Sequence, residues 1–349
     1  MLYKKNPINY LKASGTPFEI GRAMGVEGSS AVHQHLIHSD IWAMATSPEH
    51  TTMVTRLIKN TTKFFPEIHE EITGLAKGLE LPLVDVYAWN CRGDILASVP
   101  DGCTTIQTPG PEITISHNED GMPFFRGQCF IVDTKPERSK GFHAFCYPGS
   151  LAGHTFGWND YGLVQTVNNL RLQKVQATIP RMVLSRAVLS SSTLKEAINI
   201  LSDEAHCGGF HITLAQVGDN RLIGVEYGAG KVSVKEITVR SVHTNHALHL
   251  QHHSQIITKS SLDRQNNGER LLSEPSQLDL DILRDSSSVG LPIWRDDPDD
   301  PDHENTLATC TFSISSSSII WQIYNEKEGR TAYHSNLKVS NIHSNYDRF

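Results

Sequence analysis

A thiol directly after a glycine, in Asp101-Gly102-Cys103-Thr104-Thr105, is the strongest candidate for chemistry in this 349-residue chain. A free cysteine most often ends as a small buried hydrophobe. To act as a nucleophile it needs a base, because a thiol pKa of about 8.5 leaves little thiolate at pH 7. A cysteine at a chain terminus carries its own: an α-amine titrates at roughly 7.7–8.0 and accepts a thiol proton at neutral pH. That chemistry requires Cys103 to cut the Gly102–Cys103 bond by an N-to-S acyl shift, giving a thioester that water hydrolyses. Glycine suits the position before the cut. It has no Cβ to block attack on its carbonyl, and it tolerates a twisted backbone. From these five residues, buried hydrophobe and nucleophile both stand.

Other clusters point less clearly. His243, His246, His249, His252 and His253 place five histidines in eleven residues. A metal site favours i,i+4 helical or alternating strand spacing with a carboxylate or cysteine nearby; spacings of three give neither. A polar loop with one or two functional members is expected, and no metal. The acidic run Asp296–Asp302 contains two prolines and lacks the glycine and distal glutamate of an EF-hand, so a solvated loop is expected rather than a calcium site. Arg92-Gly93-Asp94 spells an adhesion tripeptide in a chain with no apolar leader. No phosphate loop, dinucleotide fingerprint or Gly-x-Ser-x-Gly elbow is present.

The elements that position Cys103 change character at that residue. Before it, Thr16-Pro17-Phe18-Glu19 reads as a capping box opening a helix; Pro66 opens a second through Ile68, Ile72, Leu75 and Leu79, and Pro82 a third. After it come strand patterns at Ile106, Ile113–Ile115, Phe130–Val132 and Phe142–Cys146, with a hairpin turn at Gly157–Gly162. Two helices follow between Pro180 and Leu201, the second capped by Thr193, then strands at 211–217, 221–226, 232–239 and 309–324. A helix is read around Leu262–Leu272. Helices, strands, helices, strands favour antiparallel sheets with helical outer layers. The net charge of −7 argues against nucleic acid or anionic membrane as partner. No apolar run reaches the roughly 18–20 residues of a membrane span. Six scattered cysteines without CxxC pairs suit reduced thiols, so a cytoplasmic enzyme is expected.

Several stretches together resemble the acyl-coenzyme A:isopenicillin N acyltransferase-like family of cysteine N-terminal-nucleophile (Ntn) hydrolases, which includes carcinine and β-alanyl-amine hydrolases. They are Gly15–Gly21, Glu70–Gly78, Asp101–Thr105, His117–Asp120, Val164–Asn168, His243–His246 and Leu291–Arg295, in the family's order over most of the chain. The resemblance implies an α+β fold, a four-layer αββα sandwich with two facing antiparallel sheets. It also implies self-cleavage between Gly102 and Cys103 into fragments 1–102 and 103–349 that stay associated as one Ntn-hydrolase domain. By position, Cys103 matches the nucleophile, Asp120 and Arg295 a pair that holds its surroundings, and Asn245 the oxyanion donor. Val167, through its backbone N–H, and Asn168 match substrate-binding positions, while His243 and His246 become scaffold. An ordinary structural ion pair is the plainer reading of Asp120 and Arg295. Trp294 departs from the family pattern, standing where a small residue is expected, and would narrow or reshape the pocket.

The function so implied is hydrolysis of a linear, non-peptide C–N bond in a small N-acyl or β-alanyl amine through a Cys103 thioester. The alternative is acyl transfer from a coenzyme A thioester, which would enter as co-substrate; no other cofactor is expected. A remote alternative is an inactive binding protein, against which the joint presence of Cys103, Asp120, Asn245 and Arg295 speaks. The expected partners are the amide substrate and the chain's own N-terminal fragment, with a second copy of the chain left open.

Overall fold

A computed structural model describes residues 7–96, 99, 102–251, 254–287 and 290–339; residues 1–6, Asp101, His252 and His253 lie outside the described residues. Two sheets face each other. The larger is ordered β1 (Asn9–Gly15), β4 (Phe130–Pro136), β5 (Phe142–Cys146), β6 (Phe156–Asn159), β7 (Leu163–Leu170), β8 (Gly209–Gln216), β9 (Ile223–Gly228), β10 (Lys231–Glu236). The smaller is ordered β11 (Ser241–His243), β2 (Gly102–Thr108), β3 (Ile113–Gly121), β12 (Asn305–Ile314), β13 (Ser318–Tyr324), β14 (Tyr333–Lys338).

Helices α1 (Pro17–Gln34), α2 (Asp40–Ala45), α3 (Thr51–Phe64), α4 (Pro66–Leu79), α5 (Leu83–Asn90) and α6 (Arg92–Ile95) precede Cys103. Helices α7 (Arg181–Leu189), α8 (Leu194–Asp203), α9 (Lys259–Leu272) and α10 (Asp279–Leu283) follow it. The first helix packs on β1 and β4, and α7 and α8 pack on β6 to β10; α9 and α10 cover the smaller sheet at β11, β2 and β3. The layers are those of the expected αββα sandwich. No helix among the described residues is long and apolar enough to cross a membrane.

Local signals formed as expected. Thr16 and Glu19 complete a reciprocal capping box with Pro17 at the first turn, and Thr193 accepts from the Glu196 N–H. The Gly157–Gly162 turn joins β6 to β7. One pairing differs from the antiparallel expectation: β1 runs parallel to β4 at the sheet's edge. Its partner lies more than a hundred residues away, with no hairpin turn to announce it.

The two N-terminal motifs meet. A Cβ on Gly21 would lie 1.9 Å from the Glu71 carbonyl oxygen, and one on Gly74 2.0 Å from that of Phe18. Helices α1 and α4 therefore cross backbone against backbone, which only glycine permits at these points. The long apolar core lies between the sheets, where Ile115, Phe145, Phe156, Val164, Ile212 and Phe312 are all fully buried. A polar enclave at one end of it holds Cys103.

Candidate active site around Cys103

Strand β2 carries Cys103 into the smaller sheet, paired with Glu119 of β3, while Gly102 pairs with Asp120. A Cβ on Gly102 would sit 2.4 Å from Glu304 Oε2, so a side chain before the thiol would have to displace the Glu304 carboxyl that Arg295 holds. Cys103 itself is 2% exposed. Its backbone N–H donates to Asn245 Oδ1 (2.9 Å), its carbonyl accepts from Arg264 Nη1, and its thiol faces Glu119 Oε2 at 3.7 Å. Burial pushes the thiol well above its ordinary pKa. The Glu119 and Asp120 carboxylates push the same way, opposed by a hydrogen bond from the Asn169 N–H and by the Arg264 charge.

Asn245 follows β11 and is fixed from several sides. Its N–H donates to Ser261 Oγ, its Oδ1 also accepts from Arg264 Nη2 (2.7 Å), and its Nδ2 donates to Asn169 O (3.2 Å). A side-chain amide has two N–H groups; one is used on Asn169, and the other is uncommitted among the described residues. The Val167 side chain packs in the apolar core, and the N–H that bonds the Cys103 thiol belongs to Asn169, two residues on in β7. Asn168 is fully buried between the sheets; its Oδ1 accepts from Thr105 and its Nδ2 donates to the His243 carbonyl.

Asp120 and Arg295 lie close without forming the expected direct ion pair. Asp120 Oδ1 accepts from Thr306 Oγ1 (2.7 Å), which in turn accepts from the Arg295 backbone N–H (3.0 Å), and Asp120 Oδ2 is buried with no hydrogen-bond partner among the described residues. Burial raises the Asp120 pKa against the pull of Arg264 and Arg295. The Arg295 guanidinium instead binds Asp300, Glu304 Oε2 (2.6 Å), Asp302 (3.5 Å) and Ser260 Oγ (2.6 Å). The acidic run is thus not simply solvated. Asp300 is buried, because it supplies the counter-charge to a fully buried arginine. Glu304 is pushed up to about 7 by burial, against the charges of Arg295, Arg171 and Arg264.

Two residues of the site were not anticipated. Arg264 touches Cys103, Thr104 and Asn245 at once from the buried face of α9. That face is mostly polar, with Ser260, Ser261, Arg264, Gln265, Asn267 and Gly268 beside a single Leu271, and a search for apolar periodicity passes over it. Glu119 was legible as the cross-strand neighbour of Cys103. Pro109-Gly110-Pro111 marks the β2–β3 turn, and folding the chain about residue 111 sets 119 opposite 103. Trp294 is buried beside this region and donates its indole N–H to Asp296.

The described histidines of the cluster, His243, His246 and His249, bond to Glu226, Ser261 and Ser233 of the surrounding scaffold. His243 Nε2 meets Glu226 Oε1 at 2.8 Å, and the Glu226 carboxylate also accepts the N–H groups of Leu248, His249 and Leu250. The adhesion-like tripeptide is likewise structural: Asp94 is buried and accepts from the N–H groups of Arg181 and Gly208. Cys103, His117 and Glu119 form the one cluster of metal-ligating residue types found among the described residues. Its donor atoms are hydrogen-bonded to one another, Sγ to Oε2 and Oε2 to His117 Nε2 (3.0 Å).

Residues 107–328 match the family model described as acyl-coenzyme A:6-aminopenicillanic acid acyl-transferase. The chain is similar to the beta-alanyl-dopamine/carcinine hydrolase of Drosophila melanogaster, at 22% identity over 97% of this chain and 98% of that protein. It is also similar to the 40 kDa form of acyl-coenzyme A:6-aminopenicillanic-acid-acyltransferase from Emericella nidulans, at 24% identity over 68% of this chain and 69% of the relative. Both relatives are named as enzymes, one a hydrolase and the other an acyltransferase. On the extent of the family match, the chain belongs to the acyl-coenzyme A:6-aminopenicillanic acid acyl-transferase family.

Proposed function

We propose that the protein is a self-processing cysteine amidohydrolase that releases a small amine from an N-acyl or β-alanyl amide. The observation that carries this reading is the convergence on Cys103. Its nitrogen, carbonyl and sulfur each meet a different buried polar side chain, Asn245, Arg264 and Glu119, in a region where a structural cysteine would meet apolar neighbours. Cleavage at Gly102–Cys103 turns the amide nitrogen on Asn245 Oδ1 into an α-amine held beside the thiol. That amine takes the thiol proton, and the thiolate attacks the substrate's acyl carbon. The spare N–H of Asn245 stabilises the oxyanion, and the amine returns the proton to the leaving nitrogen. Water then hydrolyses the thioester.

The near full-length similarity to the Drosophila hydrolase favours hydrolysis of β-alanyl amines. Acyl transfer from a coenzyme A thioester is the second reading, supported by the family description and the Emericella relative. Denaturing mass spectrometry of purified protein is expected to show fragments of 102 and 247 residues, and Cys103→Ala a single intact chain. An intact wild-type chain refutes the processing. Incubating processed protein with β-alanyl amines, with and without a competing amine, separates hydrolysis from transfer by the products formed.

A further inference from the structure

Self-cleavage has a requirement that the mature enzyme does not share. Before the cut, the Cys103 nitrogen is an amide with no basic lone pair, so another group must take the thiol proton. The hydrogen bonds around Cys103 identify one. Asn168 Nδ2 donates to the His243 carbonyl, which fixes the amide's orientation and leaves its Oδ1 as acceptor for the Thr105 hydroxyl at 2.8 Å. Thr105 Oγ1, having given its proton to Asn168, must accept from His117 Nδ1, also at 2.8 Å. His117 therefore carries its hydrogen on Nδ1 and turns a bare Nε2 towards Glu119 Oε2, 3.0 Å away. Two acceptors at that separation need a proton between them, so Glu119 and His117 share one. The Cys103 thiol points at the same Oε2. Tyr147 donates to the other carboxyl oxygen at 2.5 Å and holds the group in place.

We propose that Glu119, backed by His117, is the catalytic base of self-cleavage; this rests on the processing proposed above. As the thiol gives its proton to Glu119 Oε2, the proton already shared with His117 passes wholly to Nε2. The imidazolium that burial disfavours is thus paired with a thiolate as it appears. The thiolate attacks the Gly102 carbonyl carbon and a C–S bond forms. The C–N bond breaks as the Cys103 nitrogen takes a proton back from the Glu119–His117 pair. Water hydrolyses the resulting thioester to the Gly102 carboxylic acid and a free thiol. Afterwards the new α-amine makes the pair dispensable as a base.

The test is the rate of appearance of the 247-residue fragment in full-length chains, wild type against Glu119→Gln, with folding followed by circular dichroism. Loss of the carboxyl proton acceptor is expected to slow cleavage by at least about 100-fold. The remaining cleavage should rise about tenfold per pH unit as hydroxide replaces the base, a dependence that a purely structural role would not create. Among the described residues, the titratable groups beside the pair include Tyr147, Cys129 and Cys310 around Glu119 and His211 beside His117, with Asp120 next in the chain. Burial raises the pKa of both of those cysteines. Should Glu119→Gln fail to fold, His117→Gln interrupts the same relay at its far end and is expected to slow cleavage at least about tenfold. Wild-type cleavage rates in either folded variant overturn the proposal while leaving self-processing intact. A wild-type chain that never cleaves refutes the processing itself.

Discussion

At the residue scale, a buried nucleophile is defined by what its neighbours donate and accept. In the proposed reaction Asn245 offers an N–H to a developing oxyanion without titrating. Asn245→Ala is therefore expected to lower kcat for amide hydrolysis by about 10²–10³ with a smaller change in KM. Steady-state kinetics on processed protein check this, and a kcat within twofold of wild type rules the role out. Gly102→Ala drives a Cβ into Glu304 Oε2, 2.4 Å away, and is expected to yield an uncut chain of lowered thermal stability; mass spectrometry and a melting curve read both. The sequence singled out Cys103, Gly102, Asn245, Asp120 and Arg295 because their types and order resemble a family. It did not disclose that Arg295 answers to Asp300 and Glu304 while Asp120 reaches it only through Thr306. Those partners depend on how the loop after Arg295 turns back, which no spacing in the chain fixes.

At the element scale, two features join distant parts of the sequence. The α1–α4 crossing relies on glycines in contact with opposing backbone, so Gly74→Ala is expected to cost about 1–3 kcal/mol. It should appear as a lower denaturant midpoint with an unchanged slope, and an unchanged midpoint refutes the close crossing. The segment after β11 is held by Glu226 of β9. Burial alone would raise that carboxyl, but the hydrogen bond and charge of His243 and the Leu248 N–H outweigh it and bring the pKa from 4.5 to about 2. A carboxyl depressed on folding adds stability that is complete above its unfolded pKa and disappears as pH falls through the folded one. Wild-type stability should therefore decline between pH 4.5 and about 2. Glu226→Gln should show a shallower decline in urea titrations across the same range, and an identical decline refutes the assignment. Helix starts such as Thr16-Pro17 and Thr193 were legible because capping is local. The parallel β1–β4 edge and the inward polar face of α9 were not. The first has no nearby turn, and the second reverses the usual rule, with Leu262 left 46% exposed while Arg264 is buried.

At the scale of the whole molecule, the proposed cut leaves a fragment that is far from peripheral. Residues 1–102 supply β1 to the edge of the larger sheet and α1 to the layer that covers it. The pieces should therefore remain together through purification as a particle of the uncut chain's mass, 38.8 kDa for one copy. Separation on a sizing column without denaturant would contradict the fold as described. The parallel docking of β1 against β4 has one more consequence, in the order of the unfolding reaction. An uncut Cys103→Ala chain loses and regains that edge strand as a unimolecular event, so its transition midpoint does not depend on how much protein is present. The cut protein must first find its partner in solution. Its melting is a dissociation governed by mass action, and its midpoint should climb as the sample is concentrated. A backbone break of one bond thereby converts a folding equilibrium into a binding equilibrium, and dilution alone becomes a way to unfold the enzyme.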